Sequence, residues 1–134
     1  MEDQISFRDL LKARIYTVSE LTSRIKEIIE EEIGFEYVWV AGEVSNFRNN
    51  YTSGHWYFTL KDENSQISAV CFKWSNQRIK FLPENGMDVL CAGQIGGYEK
   101  QGAYQINVRD IEPRGVGARA LALEQLKEKL LAEG

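Results

Sequence analysis

The sequence predicts an all-β core, a small closed barrel of five strands, with one helix before it and one after it. Three observations carry this. Five short runs rich in Val, Ile, Tyr, Phe and Trp lie at 37–45, 55–62, 66–74, 87–98 and 103–112, each bounded by turn residues. One long interruption falls after the third run. The segments on either side, 17–33 and 118–133, space their apolar residues at the helical period.

The first helix places Val18, Leu21, Ile25, Ile28, Ile29 and Ile33 on one face. Thr17 and Glu20 have the capping-box spacing, in which each side chain can satisfy a backbone donor at the helix start. The run Glu30-Glu31-Glu32 falls near the negative end of the helix dipole and reads as solvated charge, not as a metal site. The strands are separated by Asn46 to Gly54, by Glu63-Asn64-Ser65, by Ser75 to Gly86 with Pro83, and by Glu99 to Gly102. Gly93, Gly96 and Gly97 are poor strand formers, but they supply the bulges and bends that a barrel strand needs. Past Pro113, Arg114 to Gly117 reads as a short hinge. The helix after it aligns Leu123, Leu126 and Leu130 on a face that needs a partner. The expected organisation is an extension at 1–16, a helix plus barrel at 17–113, and a linker with the start of a helix at 114–134, leading toward a further domain.

A chain of 134 residues can bury one core and hardly two. Its 43% apolar and 27% charged content is that of an ordinary globular protein, and no apolar run approaches the roughly 18 residues of a membrane span. The acidic start Met1-Glu2-Asp3-Gln4 lacks the basic and apolar regions of a signal peptide, so the cytoplasm is the expected location, with no membrane partner. Cys71 and Cys91 sit in apolar strand-like runs and read as inert core thiols. The net charge of −4 is uneven: Asn46 to Arg119 holds nine Lys or Arg against seven Asp or Glu, and the flanks hold seven against thirteen. A weakly basic middle does not settle the ligand, so the aromatic residues must decide it.

The stretch Ser53 to Asp62 is the most informative. If Trp56, Phe58 and Leu60 face the core, the period of two sends His55, Tyr57, Thr59 and Lys61 outward. A row of flat rings and a cation suits bases and phosphates: Tyr57 for stacking, Lys61 for a phosphate. A cross-strand aromatic pair on a wet face is the plainer alternative. Trp39, with Trp56 and Phe58, is assigned to the core. In the third run, Ile67, Ala69 and Cys71 are expected inward and Ser68, Val70, Phe72 and Trp74 outward, unless a helix that follows covers the last two. Lys73, Arg78 and Lys80, with Arg48, offer a basic track for a nucleic-acid backbone.

Catalytic chemistry finds little support in the residues. His55 is the only histidine, which excludes a metal site built on histidine pairs, and a hydrogen bond at the strand start suits it better than catalysis. Asp62-Glu63 fits an exposed turn. A phosphate-binding loop, a dinucleotide fingerprint and a metal-spaced cysteine set are all missing from the sequence, so no cofactor is expected.

Several pieces in order carry a resemblance: Tyr16-Thr17-Val18-Ser19-Glu20-Leu21, then Val38 to Phe47, then Ser53 to Asp62, then Tyr98 with Gly102-Ala103-Tyr104-Gln105-Ile106, then Pro113 with Gly115 and Gly117, and finally Glu124-Gln125-Leu126-Lys127 running to Ala132-Glu133-Gly134. Over nearly its whole length the chain resembles the amino-terminal domain of the exodeoxyribonuclease VII large subunit family, bacterial nucleases acting on single-stranded DNA.

The resemblance implies an OB-fold, a five-stranded Greek-key barrel whose ligand lies across strands two and three, gripped by the loops joining strands one to two and four to five. It implies single-stranded DNA as partner, and a catalytic domain and a region recruiting small subunits in the part of the family beyond this chain. The chain would then belong to a hydrolase without holding its active site. The loop Asn46 to Gly54, amide-rich with Phe47, Arg48 and Tyr51, would act as one flexible clamp; Tyr98, Lys100 and Tyr104 belong to the other. The nucleic-acid-binding set is thus Phe47, Arg48, His55, Tyr57, Lys61, Phe72, Lys73, Trp74, Arg78, Tyr98, Lys100 and Tyr104, with no catalytic or metal residue. Two other readings share the same face: a protein-interaction or self-association surface, and a site for RNA.

Overall fold

The computed structural model describes residues 14–34, 36–96 and 104–133. Thr17 Oγ1 accepts from the Glu20 amide at 3.1 Å and so opens helix α1, Val18–Ile29, which continues as a π-helical turn, Glu30–Gly34. The helix has the expected apolar spacing but buries none of its residues, and Val18, Leu21 and Ile28 stay exposed.

The barrel strands are β1 Val38–Asn49, β2 Trp56–Lys61, β3 Gln66–Cys71, β4 Asp88–Gly96 and β5 Gln105–Pro113. They close in the order β1-β2-β3-β5-β4, with β3 and β5 parallel and the other pairs antiparallel. This is the five-stranded barrel expected from the sequence. Its interior is filled from alternate positions of every strand, among them Val44, Phe58, Leu60, Cys71, Cys91 and Ile106. Each of the Val, Leu, Ile and Phe side chains among them contributes roughly 1.5–3 kcal/mol through the water it sheds. Closure brings β4 and β5 into tight contact: the register shifts between Ala92 and Gly93, and a Cβ at Gly93 would collide with the Asn107 carbonyl. Only glycine fits there, and the bulge that its sequence position suggests is present.

Four expectations need correction. Trp39 is not in the core but 52% exposed, because Val38 and Val40 take the inward positions of β1 and alternation turns the ring between them outward. The residues 46–49, expected in a loop, extend β1. The third strand stops at Cys71, not at 74. Asn76 Nδ2 donates to the Cys71 carbonyl at 3.2 Å and to the Gly54 carbonyl at 2.7 Å, and the chain turns at once into a short helix, α2, Lys73–Asn76. Residues 115–117, read from the sequence as part of a hinge, are helical: the last helix, α3, runs Gly115–Ala132 close behind β5, starting at a Gly115 with φ +83°.

Helix α3 lies on the barrel through Ala118, which is buried, and through Gln125. The Gln125 side chain treats Leu82 as a strand neighbour would, accepting from its amide at 2.8 Å and donating to its carbonyl at 3.0 Å. Leu123 and Leu130 of the expected leucine face stay exposed. Among the described residues no helix is long and apolar enough to cross a membrane.

Candidate nucleic-acid interface

The outer face of β2 and β3 follows from alternation. Trp56, Phe58 and Leu60 are buried, so Tyr57, Thr59 and Lys61 point away from the core as expected. On β1 an extra residue changes the outcome. Val44 pairs with Leu60 and Ser45 with Thr59, but Arg48 then pairs with Tyr57, so one residue is bulged out. Asn46 takes the left-handed conformation, φ 52°, which asparagine tolerates better than most residues. Without the bulge, Arg48 would share the inward parity of Val44. With it, Phe47 turns inward instead, its ring 5.7 Å from Trp56 and 6.1 Å from Phe58, and Arg48 emerges over the Tyr57 ring at 5.9 Å. The expected loop residue Phe47 is therefore packed on the core. Arg48, Asn49, Asn50 and Tyr57 line an open cleft of about 380 Å³.

Residues 50–55 form a hydrogen-bonded turn. Asn50 Oδ1 accepts from the Thr52 and Ser53 amides at 3.0 and 3.2 Å, and the Asn50 carbonyl accepts from the Gly54 amide at 2.6 Å, which ties the turn down. Tyr51 projects at its tip, 90% exposed.

At the end of the face, four rings gather. His55 Nδ1 accepts from the Lys73 backbone amide at 3.0 Å, the strand-start hydrogen bond expected of this histidine. Its ring stands edge-on to Phe72 at 5.0 Å, to Trp74 at 5.6 Å and to Tyr57 at 6.4 Å. Phe72 and Trp74 stack on each other, 4.9 Å apart and 18° from parallel. Helix α2 thus does not cover Trp74; it carries it, 62% exposed, off the edge of the sheet.

The cations are less uniformly placed. Lys73 is exposed, its stem lying against Gly54, and Arg78 is exposed in the turn after α2. Lys80 lines the clefts beside α3 and stands apart from the rings. Lys61 pairs with Glu43 at 3.6 Å, an exposed ion pair that tempers its availability to a phosphate. Tyr104, 39% exposed, directly precedes β5. Tyr98 and Lys100 lie outside the described residues. The acids behave as a turn: Asp62 Oδ1 accepts from the Asn64 and Ser65 amides at 2.8 and 2.9 Å, and these bonds hold its carboxyl below the usual range. Among the described residues no three His, Cys, Asp or Glu side chains gather closely enough to hold a metal.

The register also assembles residues that strand two and three alone do not suggest. Arg48 pairs with Tyr57, Tyr57 with Val70, Val70 with Asn107, and Asn107 with Gln94, one row crossing all five strands. In this row Arg48 and Tyr57 stand on one side of Val70 and the amides of Asn107 and Gln94 on the other. Their signal in the sequence is the alternation Gln105-Ile106-Asn107-Val108, in which Ile106 and Val108 are buried.

The family of OB-fold nucleic acid binding domains matches residues 16–112, most of the chain and all of the barrel described above except the last residue of β5. The chain belongs to this family. This OB-fold nucleic-acid-binding domain is also similar to the exodeoxyribonuclease 7 large subunit of Desulfitobacterium hafniense, 47% identical over 121 residues, which make up 90% of this chain and 30% of that protein. It is 51% identical over 124 residues to the same subunit of Bacillus cereus strain B4264, covering 92% of this chain and 27% of that one. The OB-fold domain therefore spans less than a third of the length of these relatives. Among solved structures, asparaginyl-tRNA synthetase of Pyrococcus horikoshii superposes with a TM-score of 0.48 at 15% identity, over 65% of this chain and 21% of that one.

Proposed function

We propose that the OB-fold domain binds single-stranded DNA with little dependence on sequence and presents it to a nuclease domain outside this chain, as part of a cytoplasmic exodeoxyribonuclease VII large subunit that also recruits small subunits elsewhere. The observation that carries this is the cluster of exposed and half-buried rings, Tyr57, His55, Phe72 and Trp74, with the Arg48 guanidinium over the first and Lys73 and Arg78 exposed on and just after helix α2. Flat faces accept any base by stacking, and guanidinium and ammonium groups meet the phosphates between them. The name shared by the relatives, exodeoxyribonuclease 7 large subunit, supports DNA as the polymer. No residue of the chain is assigned a bond-breaking role and no cofactor is invoked.

The test is fluorescence anisotropy of a labelled oligo-dT titrated with the domain at low and moderate salt. Affinity is expected to fall with salt with a slope of about −0.7 per phosphate contacted, and Tyr57→Ala and Phe72→Ala are expected to weaken it. An apolar protein-docking face would leave the DNA unbound even at low salt, and a tighter grip on the matching RNA oligomer would move the assignment to RNA; either result overturns the proposal.

A further inference from the structure

The Asn107 side chain stands out among the polar groups of the outer face. Its Oδ1 is buried and has no hydrogen-bond partner, although the residue as a whole is half-buried and reaches the surface. Buried polar atoms are nearly always paired, so an orphan on an otherwise well-formed strand calls for a physical reason. The backbone at this point is fixed, since the Asn107 carbonyl lies hard against Gly93 and its residue is in register with Val70 and Gln94.

We propose that Asn107 is a base-edge contact of this site: its amide turns out of its enclosed position to pair with the hydrogen-bonding edge of a nucleobase crossing β5, and makes affinity depend on which base is there. The inference rests on the reading that the outer face binds single-stranded nucleic acid. Asn107 sits two strands from Tyr57 in the same cross-strand row, about 9.5 Å at the spacing of neighbouring strands, so a ligand stacked on the tyrosine passes over it. An amide offers a donor and an acceptor side by side, the pattern that nucleobase edges present; adenine is its best-matched partner. Val70 between them is 2% exposed, so the surface beside Asn107 is closed rather than wet, which strengthens a polar contact made there. The rings would then supply binding to any base, and Asn107 a preference among them.

Asn107→Leu and Asn107→Thr test this against oligo-dA, oligo-dC and oligo-dT, with thermal unfolding of the free domain measured in parallel. Leucine matches the shape of asparagine without its polar atoms, and threonine keeps a strand-forming side chain. The expected result has three parts. Asn107→Leu raises the melting temperature of the free domain, by roughly 2–8 °C, because an unsatisfied buried group is removed. Both variants lose affinity most for the base preferred by the wild type, by roughly 5- to 150-fold, and narrow the differences among the three oligomers. The salt slope stays that of the wild type, since phosphate contacts are untouched. If the wild type binds and both variants keep its affinities and its base ranking, a trapped water satisfies Asn107 and the inference falls while the binding reading stands. If the wild type binds none of the oligomers, the binding reading falls and this inference with it.

Discussion

The backbone amide of Lys73 donates to Nδ1 of His55 at 3.0 Å. A backbone amide can only donate, so Nδ1 is the unprotonated nitrogen and the neutral ring carries its proton on Nε2. That bond holds the amide of the first residue of α2 and sets the plane against which Phe72 and Trp74 rest. Replacing His55 with Ala should free the Lys73 amide and loosen the ring cluster, costing about 1 kcal/mol and lowering the melting temperature by roughly 2–8 °C. His55→Asn, whose Oδ1 can stand where Nδ1 stood, should recover most of that loss. Thermal unfolding of the two variants side by side checks the claim; equal destabilisation by both would mean that ring packing, not the cap, is what His55 contributes.

Asn46 places Arg48. Because the bulge depends on a left-handed residue, Asn46→Gly should leave stability close to the wild type, while Asn46→Val should cost about 1–2 kcal/mol by forcing a β-branched residue into a conformation that its Cβ opposes. Urea unfolding midpoints measure both. Equal midpoints for the two variants would show that the bulge does not depend on this backbone conformation.

The contrast between these two positions shows what the sequence discloses. Period-two alternation in 55–62 gave the faces of β2 correctly, and the lone histidine was legible as a strand-start hydrogen bond because no other histidine or metal-spaced cysteine set was there to join it. The bulge was not legible. One extra residue inverts the face of everything after it, and nothing in Ser45-Asn46-Phe47-Arg48 announces where the ladder absorbs it, so Phe47 read as a loop ligand and is in fact core. Trp39 failed for the opposite reason: ring size argued for burial, whereas the small inward neighbours Val38 and Val40 had already taken the core positions. Asn107 was invisible because a polar residue in a strand shows no sign of an unmet hydrogen bond until its neighbours are known.

The two thiols tie stability to alkaline pH. Burial pushes Cys71 up from its ordinary 9.0 to about 12 and raises Cys91 as well, so the folded state holds both protons where the unfolded chain releases them. A raised folded value means that this contribution is complete below pH 9 and is lost as pH climbs from there toward 12, by about 1.4 kcal/mol per pH unit for each thiol. Urea unfolding at a series of pH values should show that decline, and the Cys71→Ala, Cys91→Ala double variant, though less stable throughout, should show a shallower slope. Ellman's reagent should find neither thiol in the native domain at pH 8 and both after denaturation; rapid native reaction would contradict their burial.

Trp74 gives the most direct optical report on the proposed site. Its inner face is taken by Phe72, so a base can stack only on the outer face, off the end of the sheet. Trp56 is buried and Trp39 lies on β1 away from the rings, so in a Trp39→Phe background Trp74 is the solvent-exposed tryptophan. Titration with oligo-dT should quench its emission saturably, with the same midpoint as the anisotropy change. Trp74→Phe, which keeps a flat ring, should bind close to wild type, whereas Trp74→Ala should lose roughly 1–3 kcal/mol of binding free energy. Binding that proceeds with no quench and no loss in Trp74→Ala would confine the bound strand to the sheet, leaving Tyr57 and Arg48 as the centre of the site and Trp74 as a ring that merely braces Phe72.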